Sequence, residues 1–143
     1  RARGSDPVSR IPPMVVVVDD SAAAISQYEA SVRSLEVDIQ AFRSADDAYA
    51  YLRENPADLL FLDIVMPKKD GFTLLRELRA LPGQPELPVV VVTSKDYAQD
   101  RALARDLGAR EFLLKPLRSR EIRSLIERYT GAQLRPISED GDP

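Results

Sequence analysis

Four short stretches of this sequence carry side chains suited to phosphate and metal chemistry: Asp19-Asp20, Asp63, Thr93-Ser94-Lys95 and Lys115-Pro116. Taken singly, each has an ordinary explanation. Asp20 or Ser21 caps a helix, Asp63 opens a turn before Met66-Pro67, Thr93 is a β-branched strand residue, and Lys115 reaches solvent along its apolar stem. Brought together, they describe something else. Carboxylates confined to one small space raise one another's pKa or demand a cation. Mg2+ is hard, prefers oxygen, keeps several waters and is typically held by one or two carboxylates plus a phosphate. A lysine and a hydroxyl facing such an aspartate supply what phosphoryl transfer needs, a positive charge and a hydrogen-bond donor for the transferring oxygens.

The composition narrows the choice by exclusion. The 143 residues include no histidine and no cysteine. A zinc site of the usual ligands, a Ser-His-Asp triad, a Cys-His pair and a disulfide are therefore excluded within them. Nor can they carry a phosphohistidine, so they form neither a histidine kinase nor a phosphohistidine relay. A net charge of −3 with a pI near 5.1 argues against direct nucleic-acid binding, which calls for a basic excess. The content of 44% hydrophobic and 30% charged residues is that of a soluble globular domain. No apolar run approaches the ~20 residues of a bilayer span, Arg1, Arg3 and Asp6 are followed by no signal-peptide pattern, and the reducing cytoplasm is the expected compartment.

These residues must be positioned by the surrounding elements, and the hydrophobic pattern says how. Short β-rich apolar runs alternate five times with longer segments of helical period. Strands are expected at 14–18, 37–42, 58–62, 88–92 and 111–114. The helices between and after them run from Ser21 to Leu35, from an N-cap at Ser44 through Ala48, Tyr51 and Leu52, through Phe72, Leu75 and Leu78, from about Tyr97 to a stop at Gly108, and through Ile122, Leu125, Ile126 and Tyr129. Strict alternation with near-continuous apolar strands predicts an α/β doubly wound fold, a five-stranded parallel sheet covered by helices on both faces. Ligands of such sheets sit beyond the carboxyl ends of the strands, and a strand order of 2-1-3-4-5 makes the first and third strands neighbours. Each of the four stretches follows one of those strand ends.

The Asp19-Asp20 pair, Asp63 with the following Met66-Pro67-Lys68-Lys69-Asp70-Gly71, Thr93, and the Lys115-Pro116 dipeptide together resemble the bacterial response-regulator receiver domain, a CheY-like (βα)5 fold, over roughly Pro13 to Thr130. The resemblance implies a phosphorylation-activated switch of two-component signalling in which Asp63 is the phosphoacceptor. It implies Asp20 as a direct Mg2+ ligand, Asp19 as a ligand largely through water, and the backbone carbonyl of Val65 as the third protein ligand beside Asp63. Thr93 and Lys115 would bind phosphoryl oxygens, with a cis Lys115-Pro116 peptide. Phe112 matches the aromatic switch position, though a plain core aromatic on the fifth strand explains it equally well. The implied partners are a sensor histidine kinase or phosphotransfer protein and an output domain or protein docking on the helix 4/strand 5/helix 5 face. The chain would be no enzyme beyond catalysing its own phosphorylation and slow dephosphorylation.

Some positions depart from the pattern. Val65 and Lys95, which flank the path of the hydrolytic water, are not the pairing of the fastest self-dephosphorylators, and they leave the lifetime of the phosphorylated form open. Leu125 stands where members that dimerise through that face often place an Arg one turn after Glu121, so that dimer is not carried over. Arg118, Arg120, Arg123 and Arg128 interleave with Glu121 and Glu127 as on a solvated helix face. Competing readings are a phosphorylation-independent interaction module, a flavodoxin-like cofactor binder and an aspartate-nucleophile phosphatase of the haloacid-dehalogenase type. The module would need none of the site residues, and the binder lacks a phosphate loop where Asp19-Asp20-Ser21-Ala22-Ala23 stand. The phosphatase lacks its second carboxylate because Val65 occupies that place. Residues 1–12 are expected to be a flexible segment or an expression remnant, 13–130 the domain, and 131–143 a flexible tail or linker. The non-Met start and the linker-like end favour a piece of a longer protein.

Overall fold

A computed structural model describes residues 12–82 and 86–136. Five parallel strands form one sheet in the order β2-β1-β3-β4-β5, with β1 at Met14–Val18, β2 at Asp38–Phe42, β3 at Leu59–Asp63, β4 at Val89–Thr93 and β5 at Glu111–Leu114. The helices are α1 (Ala22–Ser31), α2 (Ala45–Glu54), α3 (Gly71–Arg79), α4 (Ala98–Asp106) and α5 (Ser119–Thr130). This is the doubly wound fold and strand order that the sequence pattern predicts.

The strands that hold the site are apolar, rich in β-branched residues in β1 and β4 and in leucine in β3, and their side chains alternate between two cores. Val16, Val18, Leu60, Leu62, Val89 and Val91 face the side packed by α2, α3 and α4. Val15, Val17, Leu59, Phe61, Val90 and Val92 face the other, packed by Tyr28 of α1 and by Ile122, Leu125 and Ile126 of α5. The period of two along each strand thus feeds both faces of a buried sheet. Burying β1, β3 and β4 on both sides makes their carboxyl ends a fixed platform.

Helix starts follow local chemistry. Ser21 accepts from the Ala24 N–H at 3.2 Å, Ser44 from Asp47 at 3.1 Å and Asp70 from Thr73 at 2.9 Å, each side chain satisfying an otherwise unpaired N–H of the first turn. Gly131, with φ 71°, ends α5 in the left-handed conformation that a Cβ disfavours. The helix expected from Ser21 to Leu35 is shorter as an α-helix, because its last turn tightens into a 3-10 segment at Val32–Ser34, where the Leu35 N–H bonds Val32 O at 2.9 Å. Two strands sit one residue later than expected, which places Asp63 and Thr93 as the last residues of β3 and β4.

Residues 131–136, expected from composition to belong to a flexible segment, lie along the turn between α1 and β2. Glu36 N–H donates to Gln133 O at 2.8 Å, Leu134 forms an antiparallel bridge with Leu35, and Arg135 N–H donates to Ser34 O at 2.7 Å. The Arg135 guanidinium also binds the carbonyls of Arg33 and Leu35, at 3.2 and 2.9 Å, which satisfies carbonyls left open by the end of the 3-10 segment. The expected flexible segments at 1–11 and 137–143 lie outside the described residues. Among the described residues no helix is long and apolar enough to cross a membrane.

Candidate metal and phosphoryl site

At the carboxyl edge of the sheet, Asp19, Asp20 and Asp63 each offer a carboxylate oxygen, and these oxygens lie within 4.8 Å of one another. Asp19 follows β1 and is almost wholly buried; its Oδ1 accepts from the Ser21 N–H at 2.9 Å, so the residue that caps α1 also orients the acid. Asp63 ends β3, is 5% exposed, and its Oδ1 accepts from the Val65 N–H at 3.0 Å. Lys115, one residue past β5, reaches across to both acids. Its Nζ lies 2.7 Å from Asp19 Oδ2 and 3.2 Å from Asp63 Oδ2. The peptide between Lys115 and Pro116 is cis.

Electrostatics follow from this crowding. Burial pushes the Asp63 carboxyl above its ordinary value, and the Asp19 charge adds to that; the Val65 N–H and the Lys115 charge work in the opposite direction without cancelling it. Burial alone would lower the Lys115 pKa, but its hydrogen bond and charge contact with Asp19, and the Asp63 charge, together raise it. Lys115 therefore stays charged near neutral pH. One ammonium against three carboxylates leaves two uncompensated negative charges, which matches a divalent cation. The donors are all oxygen, so the residues fit a hard metal such as Mg2+.

The remaining candidates are positioned as follows. Thr93 is fully buried at the end of β4, and its Oγ1 accepts from the Lys95 N–H at 3.3 Å. Val65, two residues after Asp63, and Lys95, two residues after Thr93, are both exposed. Phe112 is partly buried against the core under α4, and the Arg101 guanidinium lies 4.7 Å from its ring centroid. Leu125 is buried in the α1/α5 core. Arg118, Arg120, Arg123 and Arg128 do not converge on the acids; Arg128 instead pairs with Glu111 at 2.7 Å.

Sequence reasoning missed the supports. Arg43, one residue past β2, donates through Nε and Nη2 to the Asp20 carbonyl at 3.1 and 2.9 Å, fixing the backbone of the acid pair from a neighbouring strand. Nothing local in the sequence marks that contact. Gly71 was visible only as part of a motif, and the reason for it is spatial. A Cβ there would lie 2.6 Å from Asp63 O and 2.8 Å from Ile64 Cα, so α3 starts directly against the backbone that carries the acid. Gly71→Ala is expected to cost about 2 kcal/mol in urea unfolding, since that backbone cannot move aside cheaply. An unchanged midpoint would mean that α3 slides freely against β3.

Comparison with known proteins agrees with this arrangement. The family model for the response regulator receiver domain matches residues 15–127. A gliding motility regulatory protein of Myxococcus xanthus is 34% identical over 101 residues, which is 71% of this chain but 13% of that protein, so the chain spans only a small part of its relative. Among solved structures, the phosphorylated cyanobacterial phytochrome response regulator RcpA superposes with a TM-score of 0.77 at 24% identity, covering 87% of this chain and 99% of that one. A CheY-like receiver domain protein of Methanospirillum hungatei gives 0.76 at 19% identity, covering 84% and 94%. These structures show the shared fold. The match of the family model across nearly the whole sheet and its helices shows that this chain belongs to the response regulator receiver domain family.

Proposed function

We propose that this receiver domain is switched by phosphorylation at Asp63, taking the phosphoryl group from the phosphohistidine of a sensor histidine kinase or phosphotransfer protein in a Mg2+-dependent reaction. The observation that carries the reading is the Asp63 carboxylate itself, buried at the end of β3, faced by Lys115 at 3.2 Å and grouped with Asp19 and Asp20. An Asp63 oxygen forms the new P–O bond as the donor's P–N bond breaks, and the bonding pair returns to the imidazole nitrogen. Lys115, already on Asp63 Oδ2, moves with the charge onto a phosphoryl oxygen. The buried Thr93 hydroxyl keeps its own proton while accepting from Lys95, and it donates that proton's hydrogen bond to another phosphoryl oxygen. Asp19, Asp20, Asp63 and the Val65 carbonyl would hold Mg2+, which supplies charge neutralisation on those oxygens.

Thr93 moving toward the phosphoryl group leaves space for Phe112 to turn inward, altering the face formed by α4, β5 and α5 that an output domain or protein reads. Val65 and Lys95 border the route of the hydrolytic water and set the lifetime of the phosphorylated form. The test is incubation with acetyl phosphate and Mg2+, with the adduct mapped by mass. The wild-type chain is expected to gain one phosphoryl group on Asp63, and Asp63→Asn none. An equal gain in Asp63→Asn would overturn the assignment.

A further inference from the structure

The loop between β3 and α3 contains a lysine whose charge is satisfied inside the molecule. Lys69 has a side chain only 18% exposed, with Nζ 3.2 Å from Asp46 in the first turn of α2. It also forms an ion pair with Glu77 of α3 and lies 5.1 Å from the centroid of the Tyr49 ring of α2. An ion pair in open water contributes little, but two carboxylates and an aromatic face around one shielded ammonium make a network with a defined geometry. The carboxylates outweigh the effect of burial and keep the lysine charged.

The stretch of backbone between Asp63 and Lys69 needs such a hold. Lys68 has φ 69°, in the left-handed region that a residue with a Cβ occupies only when its surroundings enforce it. The Lys69 N–H closes back onto Pro67 O at 2.9 Å. Val65 itself anchors the loop only weakly, because the residue is 55% exposed. Its backbone nevertheless donates to Asp63 at 3.0 Å. Ile64 and Met66 on either side of Val65 pack into the core, and a further hold comes from farther along the loop, where Lys69 reaches both flanking helices.

We propose that Lys69 is a positioning residue for the metal and phosphoryl site, clamping the β3–α3 loop to α2 and α3 so that the Val65 backbone is pre-set for Asp63 and for the cation. This rests on the reading of Asp63 and Val65 given under Proposed function. Without the clamp the loop samples more conformations, and ordering it then weakens the binding of a cation.

The test uses Lys69→Met, which keeps the apolar stem, with Asp46→Asn and Lys69→Arg beside it, in the full chain. Mg2+ binding to the unphosphorylated protein is read from the backbone amide NMR shifts of Ile64 and Val65, with thermal unfolding measured in parallel. Lys69→Met is expected to weaken Mg2+ binding about tenfold, the low end for groups that orient a metal ligand. Asp46→Asn should shift it the same way by a smaller factor, and Lys69→Arg should recover most of the loss. Wild-type Mg2+ affinity in Lys69→Met, even with a lowered Tm, overturns the proposal, because a brace between helices alone would behave that way. Acetyl phosphate labelling of the wild type separates the two readings. If Mg2+ shifts the Val65 amide but Asp63 gains no phosphoryl group, the phosphoacceptor assignment fails while the clamp is still decided by the Mg2+ affinities.

Discussion

Lys115→Met is expected to cost the unphosphorylated domain about 3 kcal/mol at pH 7 without divalent metal, because it removes the counter-ion that two buried carboxylates share. Asp19 and Asp63 have side chains only 2% and 5% exposed, and Lys115 lies 2.7 and 3.2 Å from them. Methionine keeps the stem and its packing but leaves the acids facing each other uncompensated. The pH dependence identifies the cause. The folded-state pKa of Asp63 already stands above its ordinary value through burial, and losing Lys115 raises it further. In the variant the folded state then holds a proton that the unfolded state has released, so stability falls as pH rises from about 4 toward that higher pKa. The deficit against wild type should accordingly shrink as pH falls toward 4. It should also shrink on adding Mg2+, and Lys115→Met combined with Asp63→Asn should be more stable at pH 7 than Lys115→Met alone. Urea unfolding across pH 4 to 8 (roughly the range over which the carboxylates titrate) measures all of this. A deficit independent of pH and of Mg2+ would assign the loss to packing of the lysine stem.

Much of the fold was legible because the physics that sets it is local in sequence. Met14–Val18 and Val89–Thr93 are nearly pure β-branched runs, which only a sheet buried on both faces accommodates, and Ser44 marks its helix start by side-chain type. The acids and the lysine could be gathered from the sequence alone because parallel topology fixes which strand ends meet. Other features depend on partners distant in sequence and leave no local trace. Arg43 reads as an ordinary polar residue after a strand until Asp20 O is found beneath its guanidinium. Gly71 looks like a turn glycine, yet its role is to let α3 approach Asp63 O within a distance no Cβ tolerates. The strand ends moved by one residue for a similar reason. Asp63 pairs with Val92 across β3 and β4, and Thr93 pairs with Leu114 across β4 and β5, so the strand ends are set by pairing across the sheet and not by the apolar run alone. Residues 131–136 read as a linker from composition, whereas Arg135 finds the carbonyls of Arg33 and Leu35 about a hundred positions earlier in the chain.

A second large effect is expected from Arg79→Met, at about 3 kcal/mol, although Arg79 touches none of the acids. Its guanidinium leaves the last turn of α3 and donates to Leu107 O at 3.0 Å, Gly108 O at 3.0 Å and Leu87 O at 2.8 Å. It thereby joins α3 to the end of α4 and to the segment entering β4. The α4 carbonyls lie at the negative end of that helix, where a cation is favoured. Burial and the nearby Arg110 lower the Arg79 pKa, but an arginine remains charged throughout the usual pH range. Methionine would leave the part-buried Leu107 and Leu87 carbonyls without this donor, while the exposed Gly108 carbonyl turns to water. Arg79→Lys should recover little because one ammonium cannot match the planar fork that spans them. The loss should be concentrated at the end of α4. Amide exchange should accelerate at Ala109, which bonds Ala104 O, and at Arg110, which bonds Val89 O, well before it does in β1 or β3. Recovery of wild-type stability in Arg79→Lys, or exchange accelerated evenly across the sheet, would sink this account. The stake is functional, because α4 and β5 form part of the face proposed to transmit the state of Asp63. A helix whose far end is pinned to α3 and β4 can shift at its Tyr97 end without unravelling, which is what a two-state reading of the site requires.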